Sequence, residues 1–567
     1  MSASILSSQP ADLQAPSFID KFASGGLRPY LILSVLCALL YLPGLASIPP
    51  TDRDEARFMQ ATKQMIETGD YIHIHFQDEP RNKKPAGIHW LQTAAVKIAG
   101  RDLSTYWPYR IPSVLAAWLA VMGSFAFARR VSDAATGFTA AGILATSLMV
   151  VIEAHIAKTD ATLLAATTVA MGALAVMYVR REGARFAVAL ALWSSLAVGT
   201  LVKGPVSLMV VLLTIAALGI ADRGVRWLKQ ARPLIGLPLL LALTLPWLLA
   251  SSNGGGSAGG NNFIVEAVRG DLIPKLIGGQ ESHGAFPGTH TLASLITFWP
   301  WSLLAPFALV LGWRRRAEPS VRFCLAWLVG TWVMFELVPT KLPHYTLPTF
   351  PALALLTAIA LRSNALQDLM GTMSGRIYRG LWAAVTFALG GGIIFAAQEY
   401  GGDIAMAGMT ALILAAGAAL ALATWANTRT IALAGVVAAA FAAFLAGGLI
   451  PSLNDLAIST RLAGAIAQHR TSTQSPIAMA GYSEPSAVFL LGTDTILTST
   501  ASVTDYLLSH PGAIGVIEAE HLDAVTRSVA GTGGAMRKLA DIEGYNYSRG
   551  DPVALSVITI TAREMQP

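Results

Sequence analysis

The sequence predicts a polytopic α-helical membrane protein with about 13 transmembrane helices and a small C-terminal α/β domain. Three observations carry that reading. Of 567 residues, 54% are hydrophobic and only 13% are charged, against roughly 25% charged in a typical soluble domain. The mean hydropathy is +0.54, and too few charges exist to cover the several soluble domains a chain of this length would form. The apolar residues also gather in runs close to span length, with basic residues concentrated between alternate runs.

A span needs about 20 mostly apolar residues. Thirteen runs approach this, at 29–46, 111–128, 136–152, 162–179, 187–202, 206–221, 234–250, 291–312, 321–338, 347–361, 381–398, 406–425 and 431–449. Lys203-Gly204-Pro205 alone separates the fifth from the sixth. The first run has features of a secretory signal, since Lys21 and Arg28 precede it and Ala46 follows. Its small-residue site is poor and twelve runs come after it, so it is read as an anchor. With the N-terminus in the cytoplasm, every even run should end in a basic loop. Arg129-Arg130, Arg180-Arg181 with Arg185, and the set Arg223, Arg226, Lys229 and Arg232 obey this. So do Arg314-Arg315-Arg316, Arg376 with Arg379, and Arg429. The other loops then face outward: 47–110, 153–161, 203–205, 251–290, 339–346, 399–405 and the tail after 450.

This divides the chain into a membrane domain, 1–449, with long outward loops at 47–110 and 251–290, and an outward α/β domain, 450–567. In the first loop, Glu55–Thr68 and Gly87–Ile98 read as amphipathic helices lying at the membrane interface. The second opens on Ser251-Ser252-Asn253-Gly254-Gly255-Gly256, a flexible-loop signature. In the tail, Ile477–Ala480, Thr495–Thr498, Ala513–Ile517 and Ala554–Thr561 read as strands, alternating with helices at 502–509 and 521–530. The net charge of +6 is not a nucleic-acid signature, because the basic residues form no single basic domain. Cys37 and Cys324 both lie inside apolar runs, which leaves neither a disulfide framework nor a cysteine metal site.

Ionisable groups near a bilayer need partners and are functional candidates by default. The outward loops hold Thr51-Asp52-Arg53-Asp54-Glu55-Ala56-Arg57, Arg81-Asn82-Lys83-Lys84-Pro85, Glu153-Ala154-His155-Ile156-Ala157-Lys158-Thr159-Asp160, Lys203, and Lys341-Leu342-Pro343-His344-Tyr345. Arg57, Lys84, Lys203 and Lys341 can converge on a phosphate, the lysines as point charges and the arginine as a bidentate fork. Asp54 or Glu55 can then orient or deprotonate an acceptor. The pattern points to recognition of an anionic lipid head group beside an acidic catalytic residue. For any one of these residues, solvated interface ion pairing is an equal explanation. It explains the Asp54–Glu55 pair and Lys84 together far less well. His73-Ile74-His75 has a spacing that metal sites use, but local sequence fixes no third ligand, so an exposed strand edge is the plainer reading. His283, in Glu281-Ser282-His283, is a weak further metal candidate. Phosphate-loop and dinucleotide fingerprints are absent.

Several short pieces occur in a telling order: Asp54-Glu55-Ala56-Arg57 with Glu67-Thr68-Gly69-Asp70, Lys84-Pro85, His89-Trp90-Leu91-Gln92, and Arg110-Ile111-Pro112-Ser113. Thr159-Asp160-Ala161, Lys203-Gly204-Pro205, Phe298-Trp299-Pro300-Trp301-Ser302 and the stretch from Lys341 to Pro351 follow. In these the chain resembles the GT-C membrane glycosyltransferases, specifically their ArnT-like aminoarabinose transferase and protein mannosyltransferase branch. The resemblance implies an inverting transfer of one sugar from a polyprenyl-phosphate donor, at the periplasmic face of the bacterial inner membrane. The implied acceptor is lipid A or another envelope glycan. It makes Asp54 the principal catalytic acid group and Asp160 a second carboxylate in the cavity. Arg57 and Lys84 become donor-phosphate ligands, supported by Lys203 and Tyr345. Transfer to protein Ser/Thr is the runner-up. A lipid or anion transporter is the competitor from another class, disfavoured because the halves show no pseudo-symmetry and the chemistry-bearing residues crowd one side of the membrane.

Two positions depart from the family pattern. Lys83 stands where members commonly have a Glu, which in the aminoarabinose branch helps a loop His hold a metal, as His283 would here. An ammonium there repels a divalent cation, which disfavours the divalent metal the resemblance allows and leaves no cofactor predicted. Phe58 stands where Tyr is frequent, removing a hydroxyl.

Overall fold

The computed structural model describes residues 18–180, 185–253, 263–274, 284–423, 428–469, 476–532 and 534–561. Each of the thirteen apolar runs folds as helix, but not all as single rods. Among the described residues, nine helices are long and apolar enough to cross a membrane alone, including Trp107–Val131, Asp160–Arg180 and Phe186–Lys203. The third run makes the helices Ala134–Thr146 and Leu148–Ala154, bent by 61° where Ser147 is extended. The eighth makes Thr289–Thr297 and Ala305–Arg314, broken around Pro300, whose missing N–H cannot continue the ladder. Two more helices, Arg28–Tyr41 and Val206–Asp222, are apolar but shorter.

The basic ends of the helices lie together. Arg362 pairs with Asp20 at 3.5 Å, bringing the N-terminal helix Phe18–Ala23 to that end. Asp222 accepts from Tyr178 Oη at 2.9 Å and pairs with Arg322. Arg181 lies outside the described residues, as do Gly254-Gly255-Gly256 and Glu281-Ser282-His283.

The opposite end carries the first long loop and the C-terminal domain. The two amphipathic segments are helices, Asp54–Thr68 and Gly87–Ala99, and between them His75–Phe76 and Glu79–Pro80 pair as an antiparallel hairpin. The tail folds as a five-stranded sheet with strands in the order 496–497, 477–479, 514–518, 551–561, 535–546. The first three are parallel and the last two antiparallel. Alternation along the strands splits the core between the faces. Met479, Val516 and Val557 pack on Ile458, Leu462 and Ile466 of one helix. Ala478, Ile517, Ile558 and Ile560 pack on Val503, Leu507, Val525 and Val529 on the other side. The strand Ala535–Asn546 was not foreseen, because Arg537, Lys538, Asp541 and Glu543 hide its period. It is an edge strand, where charge guards against stray pairing.

Candidate active site

The site starts from a buried arginine. Arg110, in the helix Trp107–Val131 just before the second apolar run, is fully buried. Its Nη1 donates to the carbonyls of Leu45 at 2.9 Å and Ile48 at 2.8 Å, and its Nη2 to that of Pro49 at 3.1 Å. Its Nε and Nη2 form a fork on Glu55, at 2.8 and 3.1 Å. The Glu55 carboxylate also accepts from Thr51 N at 2.8 Å, Thr51 Oγ1 at 2.7 Å and Ala157 N at 2.8 Å. Burial pushes this carboxyl up, but the Arg110 guanidinium and the backbone N–H groups outweigh it and hold Glu55 below the usual range. Five donors leave it no lone pair for substrate. Glu55 is a brace between the first loop and the 155–159 segment, and it does not line the cavity, contrary to the expectation of a catalytic role.

The brace brings two charged segments to one polar cavity of about 260 Å³. From the helix Asp54–Thr68 come Asp54, Arg57 and Phe58; from the loop after it come Arg81, Lys83 and Lys84. Lys158, Thr159, Asp160, Lys203, His344 and Tyr345 complete most of the wall. Asp160 accepts from Lys203 Nζ at 2.5 Å and lies 3.7 Å from Lys158 Nζ. Lys158 in turn reaches Glu153 at 2.9 Å. His344 Nε2 is 3.6 Å from Asp160 and its Nδ1 3.8 Å from Glu153. Burial works against the charge on Lys158, but the carboxylates of Glu153 and Asp160 prevail and raise its pKa above the ordinary lysine value. Phe58 is buried, with the Arg81 guanidinium 5.6 Å above its ring.

A second cavity, of about 390 Å³, opens from the first and shares Lys83, Lys84, Asp160, Lys203, His344 and Tyr345 with it. Its remaining wall is apolar, including Leu163, Val206, Met209, Leu248, Met334, Phe335 and Val338. A charged chamber thus runs into a greasy groove between spanning helices.

Six of the predicted site residues, Asp54, Arg57, Lys84, Asp160, Lys203 and Tyr345, line the chamber, as does Lys83. Lys341 does not. Its Nζ donates to the carbonyls of Val338 at 2.6 Å, Glu336 at 2.8 Å and Phe335 at 3.4 Å. It caps the C-terminal end of the helix Pro319–Leu337, where a cation satisfies orphan carbonyls and the helix dipole. Glu153, Lys158 and His344 stood in the quoted charged segments but were not singled out. Only their shared outward side could have flagged them.

The residues weighed as metal ligands in the sequence are placed as follows. Lys83 offers an ammonium, His73 is hydrogen-bonded to Asp70 at 2.8 Å, and His283 lies outside the described residues. The cluster of metal-capable side chains found among the described residues is Glu518, Glu520 and His521, on the C-terminal domain.

The sequence pattern of the dolichyl-phosphate-mannose-protein mannosyltransferase family matches residues 83–249. The chain is 28% identical over 333 residues to undecaprenyl phosphate-alpha-4-amino-4-deoxy-L-arabinose arabinosyl transferase 1 of Pseudomonas fluorescens, covering 57% of this chain and 58% of that one. It is 28% identical over 365 residues to the corresponding transferase of Pseudomonas paraeruginosa, covering 60% and 63%. The chain therefore matches less than two thirds of the length of these relatives. Its fold superimposes on that of ArnT from Cupriavidus metallidurans bound to undecaprenyl phosphate with a TM-score of 0.74 at 18% identity, covering 93% of this chain and 97% of that one. This chain shares the fold of ArnT. The likeness spans both the membrane helices and the C-terminal domain, so the chamber sits within an architecture shared from end to end.

Proposed function

We propose that this ArnT-like protein is an inverting membrane glycosyltransferase, moving one sugar from a polyprenyl-phosphate donor to an envelope acceptor. Lipid A or another lipopolysaccharide or glycolipid is the acceptor favoured. The observation that carries the reading is the junction of the two cavities. A phosphate needs clustered cations, a prenyl chain needs a long apolar groove, and Lys84, Lys203 and Tyr345 line both spaces. The names of the relatives, which specify undecaprenyl phosphate and an aminopentose, support the same donor class. The positive-inside pattern supports an inner-membrane protein whose chamber opens to the periplasm.

In this mechanism an acceptor oxygen attacks the anomeric carbon in line, forming the new C–O bond. The bond to the donor phosphate breaks, and its electron pair leaves with polyprenyl phosphate. Arg57 and Lys84 stabilise the charge that develops on the phosphate, with Lys203 and Tyr345 beside them. Asp160 holds Lys203 and Lys158 in place and offsets their mutual repulsion. Asp54 takes the proton of a hydroxyl acceptor. A phosphate acceptor is already largely ionised at neutral pH, its second pKa being about 6, and Asp54 then only orients it.

The test is mass spectrometry of lipid A, core oligosaccharide and total lipids from a deletion strain complemented with nothing, with the natural chain or with Asp54→Ala. A single-sugar mass lost on deletion and restored by the natural chain alone is the expected result. Restoration by Asp54→Ala points instead to transport or a structural role. An unchanged lipid profile moves the acceptor to glycoproteins.

A further inference from the structure

The segment just before Asp54 is held by the C-terminal domain. Strands Ala535–Asn546 and Asp551–Thr561 are joined by the turn 547–550, which reaches the chamber wall. The Tyr547 hydroxyl accepts from Asp52 N at 2.6 Å, and the Ser548 carbonyl accepts from Arg53 Nη2. From the first turn of the helix Pro485–Leu491 in the same domain, Ser486 N donates to Asp52 Oδ1 at 3.1 Å. Asp52 and Arg53 themselves line the polar cavity.

These ties bear on a backbone that would not rest there unaided. Arg53 has φ +64°, a conformation that non-glycine residues adopt only when their surroundings impose it. It stands as N-cap of the helix Asp54–Thr68 and gives no side-chain cap, so that helix begins without the usual local anchor. The turn that imposes the conformation is itself rigid. Asn546 Nδ2 donates to Glu484 at 2.9 Å while its Oδ1 accepts from Ser548 N at 3.1 Å. Tyr545 Oη donates to the Gly550 carbonyl at 2.7 Å, and Gly550 takes φ +83°.

We propose that the turn 547–550 of the C-terminal domain is a positioning element of the active site, with Tyr547 the positioning residue that fixes the backbone entering Asp54. The proposal rests on the function proposed above, in which Asp54 faces the reacting groups. Its reach depends on where Asp52 and Arg53 place the first turn of its helix, and a displacement of 1 Å at a reacting group costs up to about a hundredfold in rate. Further contacts hold the rest of that helix against the same domain: Gln60 Nε2 to Thr493 Oγ1 at 2.8 Å, Lys63 Nζ to the Phe489 carbonyl at 3.0 Å, and Thr493 Oγ1 to Glu67 at 2.7 Å. Removing the Tyr547 hydroxyl therefore loosens the entry to the helix and leaves its docking in place.

The experiment uses the full chain with Tyr547→Phe, and Tyr506→Phe on the helix Thr500–Ser509 as control. Three quantities are read: hydrogen exchange of the amides in 51–57, binding of undecaprenyl phosphate in detergent, and the lipid-linked product in complemented cells. Tyr547→Phe is expected to speed exchange at 52–54, keep undecaprenyl phosphate affinity within about twofold and lower the product about tenfold. Tyr506→Phe is expected to change none of these. Unchanged exchange in Tyr547→Phe overturns the proposal, whatever happens to product. Faster exchange with full product overturns it as well, since the turn would then be a contact without influence on Asp54. Should the natural chain make no glycolipid product and bind no undecaprenyl phosphate, the proposed function fails while the exchange comparison still decides whether the turn fixes this backbone.

Discussion

At the floor of the polar cavity, Lys158, Asp160, Lys203 and His344 are tied to one another and to Glu153. At its rim, Asp54 and Arg57 face the same space with no side-chain hydrogen bond to any described residue. The floor completes its electrostatics during folding, whereas the rim keeps its capacity for a ligand. A group already saturated by partners contributes fixed field and shape, while an unsaturated one can bind, orient or take a proton. Under the proposed function this division assigns the reaction to the rim, while the floor keeps the cations where a phosphate needs them.

Breaking the floor should have the largest effect. Asp160→Ala removes the carboxylate that Lys203 holds at 2.5 Å and leaves a buried ammonium short of a partner, at a cost of about 3 kcal/mol. The expected outcome is a clear drop in the midpoint of thermal unfolding in detergent together with loss of product. An unchanged midpoint would show that the floor is not a folding unit. Next comes the rim: Asp54→Asn is nearly isosteric and should leave the midpoint alone. On a hydroxyl acceptor it should cut product about a hundredfold with undecaprenyl phosphate affinity preserved. Near-normal product would remove Asp54 as a base.

A smaller effect separates two lysines that look alike in the sequence. Lys84→Ala should weaken undecaprenyl phosphate binding about tenfold, the loss of roughly one charge-assisted contact. Lys341→Met should leave that affinity unchanged, because the Lys341 ammonium is spent on three backbone carbonyls. Equal losses in the two variants would return Lys341 to the phosphate site.

These residues also show what can be read from a sequence. The thirteen runs were legible because hydropathy measures transfer into lipid, and the alternation of basic loops because charge placement sets orientation. The bend at Ser147 and the break at Pro300 were not, since apolarity records that a segment is in the membrane and says nothing of its direction. Asp54 and Glu55 are adjacent acids on one helix, about 100° apart around its axis. One faces the chamber and the other is locked onto Arg110, a partner 55 residues away that no local pattern reveals. The cluster of Glu153, Lys158 and His344 needed two segments far apart in the chain to be brought together before it existed as a site.

The smallest expected effect, and the one that tests the rim most finely, concerns Asp52. Burial, with the charge of Glu484 adding to it, pushes its carboxyl up to about 6 despite the hydrogen bonds from Ser486. In the unfolded chain the same group titrates near 4. Between those two values the folded state holds a proton that the unfolded state has lost. Stability from this group is therefore greatest at low pH, declines as pH rises from about 4 to 6, and is flat above that. Glu55 works in the other direction: its pKa is lowered, so its contribution is intact above the ordinary glutamate value and is lost only as pH falls through its folded value. Above the ordinary glutamate value only the Asp52 contribution is still changing, which lets Asp52 be read separately. Asp52→Asn keeps an oxygen to accept from Ser486 N and carries no charge, so it should flatten the fall of the unfolding midpoint between pH 4 and 6 and raise the midpoint by a few degrees at pH 7. An identical slope in both proteins would mean that Asp52 is solvated like an ordinary surface acid. The contact between the C-terminal domain and the rim would then be open to water, whereas the floor, with Asp160 buried among its cations, would remain the only dry part of the site among the described residues.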